Sequence, residues 1–159
     1  MTEKSPVFFR ETLQKMKLLC SKQEKCTNEI EMKLAKYNLT KQEIQKIIMI
    51  LSGDNYINDE RYAISFAHDR LKFNKWGKIK IEHQLKLKRI KDIHILKALG
   101  SIDSSEYAQI IKSELLKKSK RIRTSNAFEI KSKLMRFGQS KGFETELLFN
   151  VIDELLINQ

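Results

Sequence analysis

The chain has 159 residues, 31 lysines and arginines against 20 aspartates and glutamates, and a formal net charge of +11. One proline and five glycines are too few for the turns of a β-sandwich of this length, and helix formers fill the space instead. The longest purely apolar run, IIMIL at 47–51, is far short of a membrane span.

From the N-terminus, residues 1–8 are expected as a tail, and FFRETLQKMKLLCSKQEK then sets Phe9, Leu13, Met16 and Cys20 on one helical stripe. EIEMKLAKYNLTKQEIQKIIMIL (29–51) reads as two helices with i, i+4 pairs Ile30/Leu34 and Ile44/Ile48, broken at Asn38 just before Leu39. NDERYAISFAHDRLKF opens on Asn58 or Asp59 as N-cap, with Glu60 in the first turn, and carries Tyr62, Ala63, Phe66 and Ala67.

The next stretch, KIKIEHQLKLK (78–88), alternates as a β-strand would. Its Ile81/Leu85 pair nevertheless repeats Ile30/Leu34, so a helix is expected. That helix should pack on two sides, with Ile81 and Leu85 on one and Ile79, His83, Leu87 and Ile90 on the other. Lys78, Lys80, Lys88 and Arg89 then fall on its flanks, and the Ile95/Leu99 pair follows the break at Arg89. Arg89 is not a residue that readily ends a helix, so a different cap or a shorter turn is expected there.

SSEYAQIIKSELLKKSKR is capped by Ser104 or Ser105 and presents Tyr107, Ala108, Ile111 and Leu115. EIKSKLMRFGQSKGFETELLFNVI (129–152) closes the series with Ile130/Leu134, a break at Gly142 before Phe143, and Leu148/Ile152. This self-similarity implies an all-α chain of three tandem three-helix repeats forming an elongated, curved single array. The repeats should span about 9–55, 56–102 and 103–157 within one domain over 9–159.

Reactive side chains point to no catalyst. Cys20 and Cys26 complete neither a zinc site nor a disulfide scaffold and are expected as reduced thiols. His68, His83 and His94 lack metal-ligand spacing, and no glycine-rich phosphate loop or nucleophile, acid and base set occurs. Neither enzyme activity nor a cofactor is expected. The opening MTEKSPVFFRET has no apolar run before Arg10, which reads as a cytoplasmic chain without a signal peptide.

Charge is the first clue to a partner. Residues 1–60 carry 10 cations and 9 anions, residues 61–101 carry 11 and 3, and residues 102–159 carry 10 and 8. A concentration like that of the middle third suits a polyanion or an acidic protein surface.

The stretch YINDERYAISFAHDRLKFNKWGKIKIEHQLKLKRI (56–90) resembles the central signature of the RecX family, bacterial regulators of the RecA recombinase. The matching positions are Asp59, Tyr62, Ala63, Phe66, Arg70, Gly77, Leu85, Lys88 and Ile90, with Arg89 where the family usually has glycine. SKGFETELLFNVIDEL (140–155) resembles the family's C-terminal copy, at Gly142 and Phe143.

The resemblance implies a regulator that binds the RecA–DNA filament along its groove, and the chain is expected to be a monomer without enzyme activity. It would inhibit the filament's ATPase, strand-exchange and coprotease activities, and so recombination and SOS repair. The basic positions expected to meet filament or DNA are Lys72, Lys75, Lys78, Lys80, Lys86, Lys88, Arg89, Lys117, Lys118, Lys120, Arg121 and Arg123. Asp59, Tyr62, Ala63 and Gly77 are expected mainly to cap and pack, and Trp76 to pack at a helix junction rather than to stack on a base. The alternative is a stand-alone, sequence-independent DNA-binding module, because three-helix units resemble helix-turn-helix domains.

Overall fold

Polar side-chain caps mark where five of the helices begin. In a computed structural model that describes residues 2–158, the elements among the described residues are a short 3-10 helix at Ala35–Tyr37, no strand, and nine α-helices. They are α1 (Pro6–Lys22), α2 (Thr27–Leu34), α3 (Lys41–Gly53), α4 (Asp59–Asn74), α5 (Lys78–Leu87), α6 (Asp92–Gly100), α7 (Ser104–Ser119), α8 (Ala127–Ser140) and α9 (Thr145–Ile157). The Ser5 hydroxyl accepts from Phe8 N at 3.2 Å, so α1 starts at Pro6, inside the stretch expected as a tail. Residues 1 and 159, at the outer ends of the expected tail and domain, lie outside the described residues. Asn58 caps α4, accepting from Arg61 N at 3.0 Å. Asp103 caps α7 in place of the expected Ser104 or Ser105, because its carboxylate accepts from Glu106 N at 2.9 Å and suits the positive end of the helix.

The three expected breaks share one conformation. Asn38, Arg89 and Gly142 have φ of 53°, 58° and 89°, all left-handed. Arg89 therefore does not use a different cap. Its N–H donates to Lys86 O at 2.9 Å and that of Ile90 to Leu85 O at 3.1 Å, the double bond of a Schellman ending, which Gly142 and Phe143 repeat on Gln139 and Gly138. Buried Ile90 and Phe143 hold these turns in place.

KIKIEHQLKLK is helical, but it packs on one side. Ile81 and Leu85 are fully buried, whereas Ile79 is 52% and Leu87 62% exposed. The expected second buried stripe fails because the following helices meet α5 at its first turn rather than along its flank. Similarly, α3 buries Ile47 and Leu51 and leaves Ile44 and Ile48 only half-buried, and Ala108 of α7 is exposed.

Two apolar clusters result. One lies among α1–α3, around Met16, Ile30, Leu34, Ile47 and Leu51; the other runs continuously through α4–α9 and takes in Cys26. The exposed area of 10280 Å² exceeds the roughly 8,300 Å² of a compact chain of this mass. The molecule is elongated.

The helix trios are joined at the starts of α2 and α5. At α5, Gly77 N donates to Lys141 O at 2.7 Å, Ile79 N to Gly142 O at 3.0 Å, and Lys78 N to the Tyr107 hydroxyl at 2.9 Å. The Tyr107 hydroxyl in turn donates to the Glu144 carboxylate, and burial together with that carboxylate pushes the phenol's pKa well up. A Cβ on Gly77 would lie 2.2 Å from the Gly142 carbonyl carbon. At α2, Asp59 Oδ1 accepts from Thr27 N at 2.8 Å and from Thr27 Oγ1 at 3.1 Å.

Two stability predictions follow from this packing, both read as urea midpoints. Leu85→Ala should destabilise by about 2–5 kcal/mol, and Leu87→Ala by less than about 0.5 kcal/mol. Equal losses would show that both flanks of α5 are buried. Gly77→Ala should cost about 3 kcal/mol or more, from overpacking and displaced hydrogen bonds. Gly53→Ala, where a Cβ meets nothing within 4 Å, should be neutral or stabilising by up to about 1 kcal/mol.

Candidate functional site

The central cations do not form one outward-facing surface. Lys78 holds its ammonium over the Tyr107 ring (5.0 Å), and Lys80 over Trp76 (4.9 Å). Lys88 reaches Glu29 of α2 at 3.5 Å and lies over Tyr62 and Phe66. Lys86 pairs with Glu82 one turn back at 3.1 Å, and Lys75 is the left-handed C-cap of α4. Lys72 and Arg89 of the central set are exposed without an ion pair among the described residues, although Lys72 passes over Phe73 at 5.4 Å. Arg89 itself adopts the strained turn described above.

The signature residues gather at the seam between α2 and α4. The Arg70 guanidinium lies 4.9 Å from the Phe66 centroid and 5.5 Å from that of Trp76, whose rings meet edge-on. Tyr62, Phe66, Arg70 and Lys88 line a cavity of about 370 Å³ together with Glu24, Glu29 and Asp69. Burial, and then Glu29, push the Tyr62 phenol up, and burial raises the Cys26 thiol to about 11. Burial also works to raise Glu29, but the Cys26 N–H and the Lys88 ammonium outweigh it and hold the carboxyl below its usual range. This seam is mixed in charge. Ala63, Leu85 and Ile90 are core, and Asp59 is a cap for α2, so these signature positions act within the fold.

A different cluster is unbalanced. Lys118, Arg121, Arg123, Lys133 and Arg136 line a groove of about 630 Å³, with Ile122, Phe137 and Ser140 completing it. No carboxylate lines this groove, and none of its five cations is in an ion pair among the described residues. Its geometry follows from the sequence. Past the end of α7, Arg121 N bonds Lys118 O at 3.0 Å and Ile122 N bonds Ser119 O at 3.2 Å, turning the chain over α8. Asn126 then caps α8, accepting from Glu129 N at 3.1 Å. On α8, Lys133, Arg136, Phe137 and Ser140 recur at i, i+3, i+4 and i+7 and share one face. Lys118 lies 5.5 Å over Phe137.

Of the basic positions expected from sequence, the groove unites Lys118, Arg121 and Arg123. Lys117 turns to Glu114 at 3.7 Å, and Lys120 is exposed outside the groove. Lys133 and Arg136 were missed. Residues 117–141 hold nine cations and one anion, a concentration hidden when charge is averaged over 102–159 with its acidic flanks. Planar guanidiniums among unpaired ammoniums can bind phosphate or carboxylate oxygens in pairs. No group of His, Cys, Asp and Glu among the described residues is arranged for a metal, and no helix there is long and apolar enough to cross a membrane.

Comparison with known proteins agrees with this architecture. The family model described as RecX, second three-helix domain, matches residues 58–99, the α4–α6 trio. The Regulatory protein RecX of Streptococcus agalactiae serotype V is 30% identical over 136 residues, covering 86% of this chain and 52% of the relative. That of Clostridium perfringens strain 13 is 28% identical over 141 residues, covering 85% of this chain and 64% of the relative. The chain thus spans between half and two thirds of the length of these relatives. The crystal structure of RecX from Lactobacillus salivarius superposes with a TM-score of 0.88 at 22% identity, covering 96% of this chain and 99% of that one. A second RecX crystal structure gives 0.83 at 23% identity, covering 92% and 72%. With the trio of the family model, the curated relatives and the shared fold all in agreement, the chain belongs to the RecX family.

Proposed function

We propose that this chain is a non-enzymatic regulator of the RecA recombinase, acting in the cytoplasm. In this reading it lies along the RecA–DNA filament as three tandem three-helix repeats, about 9–55, 56–102 and 103–157, and inhibits ATP hydrolysis, strand exchange and coprotease activity. The observation that carries the proposal is the groove of five unpaired cations on an elongated helical body. Its arginines and lysines meet DNA phosphates in the filament, and the exposed Lys72, Lys86, Arg89, Lys117 and Lys120 add long-range attraction. The central Lys78 and Lys88 serve chiefly to join neighbouring helix trios, and Lys75 and Lys80 to hold the α4–α5 turn.

The absence of carboxylates in the groove also favours the second reading, a module that holds DNA without any filament. RecA ATP hydrolysis on single-stranded DNA, titrated with this protein, separates the two. The parent should inhibit. Replacing Lys118, Arg121, Arg123 and Lys133 by Gln should raise the half-inhibitory concentration at least tenfold with helicity unchanged, and should lower the salt slope of binding by about 3, at roughly 0.7 per lost phosphate contact. Replacing Lys15, Lys22, Lys36 and Lys41 by Gln, from the charge-balanced N-terminal third, should leave inhibition as it was. Equal inhibition by both variants would remove the groove from the mechanism. No effect of the parent on RecA, with tight binding of naked DNA, would establish the second reading.

A further inference from the structure

Beside the basic groove, on the other side of Arg136, α8 and α9 leave an apolar slot open. Phe128, Met135 and Phe149 line it with Ser132, Gln139 and the stems of Lys131 and Arg136, around a volume of about 330 Å³. Phe128 is 78% and Phe149 45% exposed. Buried partners explain the inner faces of both helices through Leu134, Leu148 and Ile152; on the outer face Met135 packs only in part against the core and Lys131 lies 5.7 Å over the Phe149 ring, while Phe128 is left open. Aromatic rings this exposed beside a thioether form the adaptable, apolar kind of surface that receives a protruding side chain.

Charge selects the occupant. The cations at the slot are Lys131, already 3.3 Å from Asp153, and Arg136, which has no ion-pair partner among the described residues. A second copy of the chain would bring its own +11 against this rim and the groove behind it, so self-association is opposed. A nucleic acid finds its cations in the groove, whereas the slot offers it one free guanidinium and the Asp153 carboxylate nearby. A protein segment with a large apolar side chain for the Phe128–Met135–Phe149 slot and a carboxylate for Arg136 matches both the apolar lining and the free guanidinium.

We propose that the α8–α9 slot is a docking site for an acidic protein segment anchored by an aromatic or aliphatic side chain, separate from the basic groove and bridged to it by Arg136. The inference stands on the slot alone and does not require that the groove bind DNA. The segment supplies hydrophobic anchoring in the slot and a paired contact at the guanidinium.

Methionine methyl resonances report on it directly, because Met135 lines the slot while Met32 and Met49 are exposed elsewhere, on α2 and α3. The intact chain, labelled with ¹³C at its methionine methyls, is titrated with a twelve-residue peptide of Asp, Glu and Gln carrying Phe and Leu four residues apart. Parallel titrations use the same peptide with Ser at both apolar positions, and a twelve-residue oligothymidylate. The expected result is a saturable shift of Met135 with the first peptide only, with Met32 and Met49 still. Phe128→Ser and Arg136→Glu, both at exposed positions, should each weaken that binding at least tenfold with helicity unchanged. Equal shifts at Met32 and Met49, no shift at Met135, or no loss in either variant overturns the proposal. A Met135 shift with oligothymidylate alone assigns the slot to nucleic acid, and one that grows with protein concentration in the absence of ligand assigns it to self-association; either result also overturns the proposal.

Discussion

The organisation of this molecule depends on how the first turn of α5 is satisfied. A helix start exposes N–H groups that no residue of its own helix can accept from. Here Gly77 caps with no side chain, and three successive N–H groups are taken up by the Lys141 and Gly142 carbonyls and by Tyr107. The α7–α9 trio is thus pinned on the α4–α6 trio by obligatory polar groups at one point, set within the apolar cluster that runs through both. Close approach requires both glycines, since a Cβ on Gly142 would lie 2.4 Å from Lys80 Cβ. The α2 start solves the same problem differently, with the Asp59 carboxylate reaching across from α4.

Point contacts of this kind leave long polar seams, and the central cations are drawn into them. Lys88 reaches α2 to meet Glu29, Lys78 covers Tyr107, and Lys80 and Arg70 cover Trp76. Lysines over ring faces bury their stems while keeping the ammonium wet, which stabilises a seam without a buried charge pair. A sequence-level excess of positive charge in residues 61–101 therefore says less about a partner than its size implies. Much of it belongs to the architecture.

The helices and most of the core were legible because i, i+4 spacing survives in every copy, from Ile30/Leu34 through Ile81/Leu85. What failed was the neighbour of each face. Ile79 and Leu87 have the spacing of a buried stripe yet face solvent, because periodicity records which residues share a face and not whether anything covers it. Arg89 misled in the opposite sense. Its side chain argues against a left-handed turn, and the burial of Ile90 imposes one. The groove was half legible, as the run KKSKRIR, and half hidden, because Lys133 and Arg136 join it only once the chain turns back along α8.

The two halves of that groove do not have the same physical standing. Lys118 sits in the last turn of α7, where a cation is favoured by the negative end of the helix dipole, and it also covers Phe137. Arg121 and Arg123 lie in the connection, free to spread into solvent. Lys133 and Arg136 have no such offset: they stand mid-helix in α8, three residues apart on one face, without an ion pair among the described residues and facing the other three cations. Like charges so placed oppose the fold modestly. The charges that the architecture does not explain are therefore those of α8, and Arg136 alone among them lines both the groove and the apolar slot. Structural economy accounts for the central lysines, whereas no contact within the described residues offsets the repulsion at α8.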